Sequence, residues 1–250
     1  MARILATAAL AFALLAGPAR AAEAPAAQSW SFQGIFGTFD RAALKRGFQV
    51  YTEVCASCHS LSLVSYRHLR KVGFSEDEVK AIAAEFEVED GPNDEGEMFT
   101  RPGRPSDRFA SPFANDQAAR AANNGALPPD LSLMTKARKG GPDYLHALLV
   151  GYADEPPDGV EIMEGMNYNK YFPGNQIAMA PPLSDEAVEY ADGTETTLDR
   201  LALDVVTFLA WAAQPELEER KRLGVKVLLF LLVLTAMLYA LKRQIWSDLH

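Results

Sequence analysis

Apolar residues recur at helical spacing in five stretches of the chain, and polar stretches separate them. The clearest stretch is residues 40–54, where Asp40 is a candidate N-cap and Leu44, Phe48 and Tyr51 share one apolar face with Cys55, which follows directly. The other predicted helices span residues 75–86, 115–123, 144–150 and 197–213. Residues 87–112 and 151–180 lack such periodicity, and no alternating pattern predicts a strand. We therefore expect a mostly α fold with long loops.

The N-terminus has the pattern of a secretory signal peptide. Arg3 precedes an apolar run over residues 4–16, Gly17 and Pro18 interrupt it, and residues 19–21 match a small-x-small cleavage site. The run is too short to span a bilayer, which argues against its retention as an anchor. We expect a signal peptide at residues 1–21, with cleavage after residue 21 or 22, and an exported domain at residues 22–215.

A second apolar segment, residues 223–241, has the length and composition of a membrane span. Lys226 is its only charged residue, and at about 1.5 Å per residue the segment is roughly 28 Å long, close to the thickness of the hydrocarbon core. A buried core helix is the alternative. Basic residues flank the segment on both sides, so the positive-inside rule does not decide its orientation. From the signal peptide we expect a charged juxtamembrane segment (216–222) on the exported side and a cytoplasmic tail (242–250).

The most specific chemistry lies in residues 55–59, which form the sequence C-x-x-C-H. Cys55 and Cys58 lie about one helical turn apart and could bond the two vinyl groups of one haem, with His59 placed as an axial ligand. A four-cysteine zinc site is excluded because the chain has only these two cysteines. A thioredoxin-like redox pair and a simple disulfide are the alternatives. We predict one covalently bound haem c.

The second axial ligand decides between electron transfer and substrate chemistry, because an open iron would permit reactions with peroxide, nitrite or oxygen. Met179 is the strongest candidate, since it lies in a proline-bounded loop (173–182) whose prolines lower the entropy cost of holding a ligand. The alternatives are His68, His146, or a role for Met179 as a core residue. Ligation by Met and His raises the haem potential and suits an electron carrier.

The charge of the chain is strongly acidic. The net charge is −9, from 24 basic and 33 acidic residues, and loss of the signal peptide removes two basic and no acidic residues, which leaves −11. This balance argues against nucleic acid as a partner and favours a basic protein. The acidic segments 76–97 and 185–199 could steer such a partner, although carboxylates that only keep the surface solvated are the alternative.

Several stretches together resemble the cytochrome c1 family, the haem subunits of ubiquinol–cytochrome c oxidoreductase, also called the cytochrome bc1 complex. The resemblance covers nearly the whole mature chain. Its stretches are RGFQVY (46–51) before the C-x-x-C-H motif, YRHL (66–69), DGPN (90–93), AARAANNGALPPDL (118–131), YFPGNQIAMAPPL (171–183) and TFLAWAA (207–213).

The resemblance implies a class I cytochrome c-like haem domain with long loop insertions and one C-terminal transmembrane helix. It implies His59 and Met179 as axial ligands, and Arg138 and Tyr144 as partners of the haem propionates. It also places residues 127–129 on the His side of the haem, where a backbone carbonyl could orient the imidazole. Some bacterial relatives have an additional cysteine pair near the methionine that this chain lacks, so we expect the loop at 151–173 to be held by packing alone.

The function implied by the resemblance is a relay of single electrons. The chain would receive them from the Rieske iron–sulfur protein and pass them to a soluble basic c-type cytochrome. Its complex would include cytochrome b and be dimeric, in a bacterial inner membrane with the haem domain in the periplasm. Enzyme activity would belong to the complex, with no substrate chemistry by this chain alone. The alternatives are a free-standing anchored cytochrome that donates to an oxidase, and a haem enzyme such as a peroxidase.

Overall fold

The computed structural model describes residues 22–247, so the predicted signal peptide at 1–21 and the last three residues lie outside the described part. Most of the regular structure within it is helical, which confirms the predicted class. The helices are α1 (Arg41–Glu53), α2 (Glu76–Ala84), α3 (Asp116–Ala122), α4 (Met134–Ala137), α5 (Gly141–Val150), α6 (Leu198–Ala212) and α7 (Leu217–Ile245). Short 3-10 turns occupy Cys55–Ser57, Tyr66–Lys71 and Pro173–Asn175. The strands are β1 (Glu87–Asp90), β2 (Phe99–Pro102), β3 (Asn167–Tyr168) and β4 (Gln176–Ile177).

Side-chain caps explain where the predicted helices begin. Asp40 accepts hydrogen bonds from the backbone N–H groups of Ala42 and Ala43 at 2.8 and 3.2 Å, and so starts α1. Ser75 starts α2 through a capping box, and Thr197 starts α6. Among the five helices predicted from apolar spacing, only α5 begins clearly earlier than predicted, because Pro142 fits the first turn of a helix.

The expectation of a long surface loop at 87–112 is wrong in part. Strands β1 and β2 form an antiparallel hairpin there, with Glu87 paired to Pro102 and Asp90 paired to Phe99. The Asn93 side chain closes the turn by accepting two backbone hydrogen bonds, each of 2.9 Å. Both strands are short and largely exposed, so their side chains show no apolar alternation from which a strand could be predicted.

The centre of the core is the crossing of α1 with α6. At Gly47 the two backbones approach so closely that a Cβ atom would lie 2.0 Å from the carbonyl oxygen of Asp204. Aromatic rings pack on both sides of this contact, with Phe48 and Tyr51 of α1 at 5.7 and 5.6 Å from the ring of Phe208. The crossing fixes the C-terminal end of α1, and the C-x-x-C-H motif follows directly from it.

A buried ion pair reinforces the same crossing. The Arg46 guanidinium donates two hydrogen bonds to the Asp204 carboxylate at 2.7 and 3.1 Å, and Asp204 is only 1 % exposed. A further bond of 3.0 Å runs from Arg46 to Asp192, and the Tyr190 ring lies 5.6 Å from the guanidinium. The hydrogen bonds to Asp204 raise the pKa of Arg46, so this cation stays charged where it is partly buried.

Helix α7 projects away from the rest of the protein. Within residues 22–247 it is the one helix long and apolar enough to cross a membrane, with a mean hydropathy of 2.3 over its most apolar window. None of that window is buried, so the alternative of a buried core helix is wrong. The predicted juxtamembrane segment (216–222) is largely the first turns of this helix, which continues past the predicted end of the span to Ile245.

Two side chains in the first turns of α7 attach the helix to the N-terminal part of the domain. Glu218 accepts a 2.9 Å hydrogen bond from the backbone N–H of Phe39 and a 2.6 Å bond from the Arg41 guanidinium. Lys221 Nζ donates to two backbone carbonyl oxygens within residues 32–37, at 2.7 and 2.8 Å. The start of α7 is therefore joined to the folded domain by charged side chains and not by a free linker.

Candidate functional site

The C-x-x-C-H motif leaves α1 through a 3-10 turn. The backbone N–H groups of Cys58 and His59 both donate to the carbonyl of Cys55, at 3.1 and 2.9 Å. Both thiols are free and half-buried, and burial raises the pKa of Cys55 to about 12. A redox-active C-x-x-C pair needs a lowered thiol pKa, and burial acts in the opposite direction at Cys55.

The imidazole of His59 is oriented by a backbone carbonyl. Its Nδ1 lies 2.8 Å from the carbonyl oxygen of Pro129, which can only accept a hydrogen bond. The proton therefore resides on Nδ1, and Nε2 has its lone pair available for a metal. Burial lowers the pKa of His59, which favours the neutral ring that ligation requires. The expected contact with residues 127–129 is thus made by Pro129.

Asp130 holds the Pro129 segment against the C-x-x-C-H motif. Its carboxylate accepts bonds from the Ser60 hydroxyl and the Ser62 backbone N–H, both at 2.9 Å, and from the Ser132 N–H at 2.7 Å. Burial opposes ionisation, but the hydrogen bonds from Ser132 and Ser62 outweigh it and lower the pKa of Asp130 to about 2. Asp130 was not among the residues predicted for the site, because its role depends on contacts between distant segments.

Arg138 and Tyr144 lie close together on either side of a tight turn. The N–H of Gly141 donates to the carbonyl of Arg138 at 3.0 Å, and Gly140 has a positive φ of 89° that folds the chain back. Burial raises the pKa of Tyr144, and the nearby charge of Arg138 opposes that rise. The structure therefore brings the two predicted propionate partners together.

The loop that contains Met179 is held through its backbone. The Tyr152 hydroxyl donates to the carbonyl oxygen of Met179 at 3.1 Å, and the Asn167 amide lies 3.4 Å from the same oxygen. Burial raises the pKa of Tyr152, and the neighbouring Tyr144 raises it further. Tyr144 and Tyr152 are therefore neighbours, and Tyr152 holds the Met179 loop through its backbone.

The expectation that packing alone holds the loop at 151–173 is wrong. Asn169 is fully buried, and its side chain donates to the carbonyl of Leu148 at 2.8 Å and accepts from the N–H groups of Tyr171 and Phe172 at 3.0 and 3.2 Å. A bridge to Tyr152 and the β3–β4 pair complete the support. No local sequence signal identified Asn169, because a single buried asparagine produces no periodic pattern in the sequence around it.

The two histidines that were alternatives to Met179 have other contacts. His68 accepts a hydrogen bond from the Ser65 backbone N–H at 3.3 Å, at the start of a 3-10 turn. His146 is 4 % exposed and lies 2.9 Å from the Asp199 carboxylate. Each of these rings thus contacts another part of the domain through one nitrogen.

Several features of the described residues fit a covalently bound haem. Thr135 Oγ1 is buried without a hydrogen-bond partner, and the exposed Arg138 makes no ion pair within residues 22–247. Both could serve the propionates of a haem. The large apolar side chains of Leu127 and Leu133 are exposed, as expected of residues that pack against a porphyrin. The described residues hold no cluster of three or more His, Cys, Asp or Glu suited to a metal ion, but a haem iron needs only axial ligands.

Comparison with known proteins agrees with these features. The profile of the Cytochrome C1 family matches residues 30–249, a range that contains all six predicted site residues. The chain belongs to the cytochrome c1 family. It is similar to cytochrome c1 of Rhodospirillum rubrum, with 55% identity over 236 residues that cover 88% of this chain and 87% of that one.

Two further relatives extend the similarity. The mitochondrial heme protein cytochrome c1 1 of Arabidopsis thaliana is 59% identical over 221 residues, which cover 88% of this chain and 71% of that one. A protein named cytochrome b/c1 from Bradyrhizobium diazoefficiens is 50% identical over 247 residues, which cover 90% of this chain and 36% of that one. The family resemblance stated from the sequence is therefore confirmed.

Proposed function

We propose that the chain is a membrane-anchored c-type cytochrome that relays single electrons within a quinol-oxidising bc1 complex. It receives them from the Rieske iron–sulfur protein and passes them to a soluble basic c-type cytochrome. Any enzyme activity belongs to the complex, and the chain alone catalyses no substrate reaction. The family membership supports an electron-transfer role, and the single contact that carries the proposal is the 2.8 Å distance between His59 Nδ1 and the Pro129 carbonyl.

That contact matters because it orients His59 as an iron ligand without the help of a bound metal. A ring with Nδ1 protonated and held can offer only Nε2, so the orientation and the tautomer are set together. Cys55 and Cys58 would hold haem c through thioether bonds, and His59 and Met179 would be the axial ligands. Bound haem supplies one-electron chemistry between two oxidation states of iron.

The remaining site residues would hold the haem and its axial ligand Met179 in place. Arg138 and Tyr144 would partner the propionates, since a carboxylate that is partly buried needs charged or hydrogen-bonding neighbours. Tyr152 and Asn167 would keep Met179 in place through its carbonyl. As ligands of the iron, His59 and Met179 would exclude small molecules from it, which would suit a carrier and disfavour a peroxidase.

The name of the Bradyrhizobium relative supports the proposed partner. That protein is named for both cytochrome b and cytochrome c1, and this chain corresponds to 36% of its length. We infer that this chain assembles with a cytochrome b in a dimeric complex in a bacterial inner membrane. Helix α7 would cross the membrane, with the haem domain in the periplasm and the C-terminus in the cytoplasm.

The β1–β2 hairpin is a candidate surface for steering the basic acceptor. Glu87, Glu89 and Glu95 are exposed and make no ion pair within residues 22–247. In the second acidic segment Asp192 is bonded to Arg46 and Asp199 to His146, but other carboxylates there, such as that of Glu195, are also exposed and unpaired within the same residues. Free carboxylates contribute most to a long-range field, and we place the steering at the hairpin as a proposal that a comparison of charge-reversal variants in the two segments decides.

Purification from membranes in mild detergent tests the proposal. The chain should contain a covalently attached haem and should co-purify with a cytochrome b and an iron–sulfur protein. If it purified alone while holding its haem, the free-standing cytochrome would be correct instead.

A pair of variants tests the axial ligand. Met179→Leu should keep its haem attached but should bind carbon monoxide in the reduced state, because one axial position opens. Met163→Leu is the matched control, since its side chain is 64% exposed, and it should behave like the parent. Carbon monoxide binding by the parent would contradict ligation by Met179 and favour a haem enzyme.

A further inference from the structure

Two large apolar side chains project into solvent beside the start of α7. Ile35 is 71% exposed and Phe36 is 78% exposed, the latter among the most exposed apolar side chains outside the membrane helix. They lie at the tip of residues 33–37, which we call the Ile-Phe loop. Neighbouring large apolar side chains are costly to leave in water, so this loop requires an explanation.

The Ile-Phe loop has a defined shape. Gly34 has a φ of +70°, and a Cβ atom at Gly37 would lie 1.8 Å from the carbonyl oxygen of Gln33, so only glycine fits there. Beneath the loop the ring of Phe32 packs against Trp30 and Phe39, at centroid distances of 5.6 and 4.8 Å. The two exposed side chains are therefore presented on a rigid support.

Contacts with α7 show in which direction the loop extends. Phe39 lies at the level of Glu218, through the hydrogen bond to its backbone N–H. Gly37 lies at the level of Lys221, which donates to its carbonyl oxygen at 2.8 Å. Lys221 is about 4.5 Å nearer to the apolar part of the helix than Glu218, since three residues each rise about 1.5 Å. The chain thus approaches the predicted membrane span between Phe39 and Gly37, and Lys221 holds both ends of the loop through the carbonyls of Phe32 and Gly37.

Basic side chains surround the same level of the helix. Lys221 binds the loop carbonyls, and Arg222 has a side chain that is 71% exposed immediately before the apolar stretch. Lys226 follows one turn further on. Cations at the start of a span interact with lipid headgroups, so this level of α7 has the chemistry of a membrane surface.

We propose that the Ile-Phe loop inserts Ile35 and Phe36 into the boundary between headgroups and acyl chains of the membrane that α7 crosses. The chain then contacts the bilayer at two places, the spanning helix and this loop. Interfacial segments bury apolar side chains about 5–10 Å into that boundary without leaving the headgroup region. The proposal rests on the proposed crossing of the membrane by α7.

Site-specific photocrosslinking tests the insertion in the full chain. Phe36 is replaced by benzoylphenylalanine, which preserves the aromatic ring, and the protein is irradiated both in native membranes and in phosphatidylcholine–phosphatidylglycerol vesicles. The same residue is placed at Leu229, in the middle of the apolar stretch, and at Asp94, in the turn of the β1–β2 hairpin. Mass spectrometry then measures the fraction of chain bonded to lipid.

We expect lipid adducts from position 36 in both preparations, with a yield within a few-fold of position 229 and many-fold above position 94. A yield at position 36 equal to that at position 94 would show a loop in water and overturn the insertion. Adducts with another protein in native membranes, without lipid adducts, would show a protein-covered surface and also overturn it. If position 229 gave no lipid adducts either, the membrane crossing itself would be wrong.

Discussion

The close contact at Gly47 predicts that a single added methyl group destabilises the protein. In Gly47→Ala the new Cβ would lie 2.0 Å from the Asp204 carbonyl oxygen and 2.8 Å from Phe208 Cβ, so α1 and α6 must separate. Alanine favours a helix over glycine by about 1 kcal/mol, whereas overpacking of a core costs about 1–3 kcal/mol. Because two backbones are in contact here, we take the upper end of the range for the overpacking cost. After the gain in helix propensity is subtracted, the net loss is about 2 kcal/mol.

The assay is thermal unfolding of the full chain in detergent, followed by circular dichroism. For a domain of this size a loss of about 2 kcal/mol lowers the midpoint by about 4–8 °C. Gly224→Ala is the matched control, because it makes the same substitution in α7 where nothing lies within 4 Å of the new Cβ. If Gly47→Ala melted at or above the parent, the two helices would not be in the contact described.

Three further predictions concern the support of the site and the β1–β2 hairpin. Asn169→Ala should lower the free energy of unfolding by about 2–4 kcal/mol in urea titrations, because it leaves several buried backbone groups without partners; an unchanged midpoint would contradict its role in holding the loop. Asp130 has a folded pKa of about 2, below the value of about 3.9 in an unfolded chain, so its ionisation stabilises the fold above about pH 4 and that stability is lost as the pH falls towards 2. Asp130→Asn should therefore be less stable at neutral pH, and its unfolding free energy should fall less between pH 4 and 2 than that of the parent; parallel curves would argue against it. Glu89→Lys should slow stopped-flow electron transfer to a basic c-type cytochrome at low salt, with the difference lost in about 1 M salt, whereas an equal effect of Glu195→Lys would refute steering by the hairpin.

The helices were predictable because their signals are local. Asp40 and Thr197 cap helices within three residues of themselves, and the apolar faces of α1 and α6 are visible at helical spacing. The spacing of Cys55, Cys58 and His59 is local as well. The uniform apolarity of residues 223–241 likewise made the long exposed helix predictable.

The support of the site was not predictable from spacing, because it depends on contacts between distant segments. Pro129 contributes a backbone carbonyl, which any residue has, so only a family resemblance indicated that part of the chain. Asn169 is polar and lies in a stretch without periodicity, where sequence alone predicts exposure. Glu218 and Lys221 have the composition of a headgroup-facing segment, yet they bind the folded domain.

The attachment of α7 through Glu218 and Lys221 has a mechanical consequence for the haem domain. A helix joined by a flexible linker can tilt without moving its domain. Here the helix and the domain must tilt together. Transmembrane helices tilt when their apolar length exceeds the thickness of the bilayer. A thinner bilayer would therefore rotate the domain and shift the height of the candidate haem site above the lipid, so that membrane thickness becomes one of the variables that set how partners meet it.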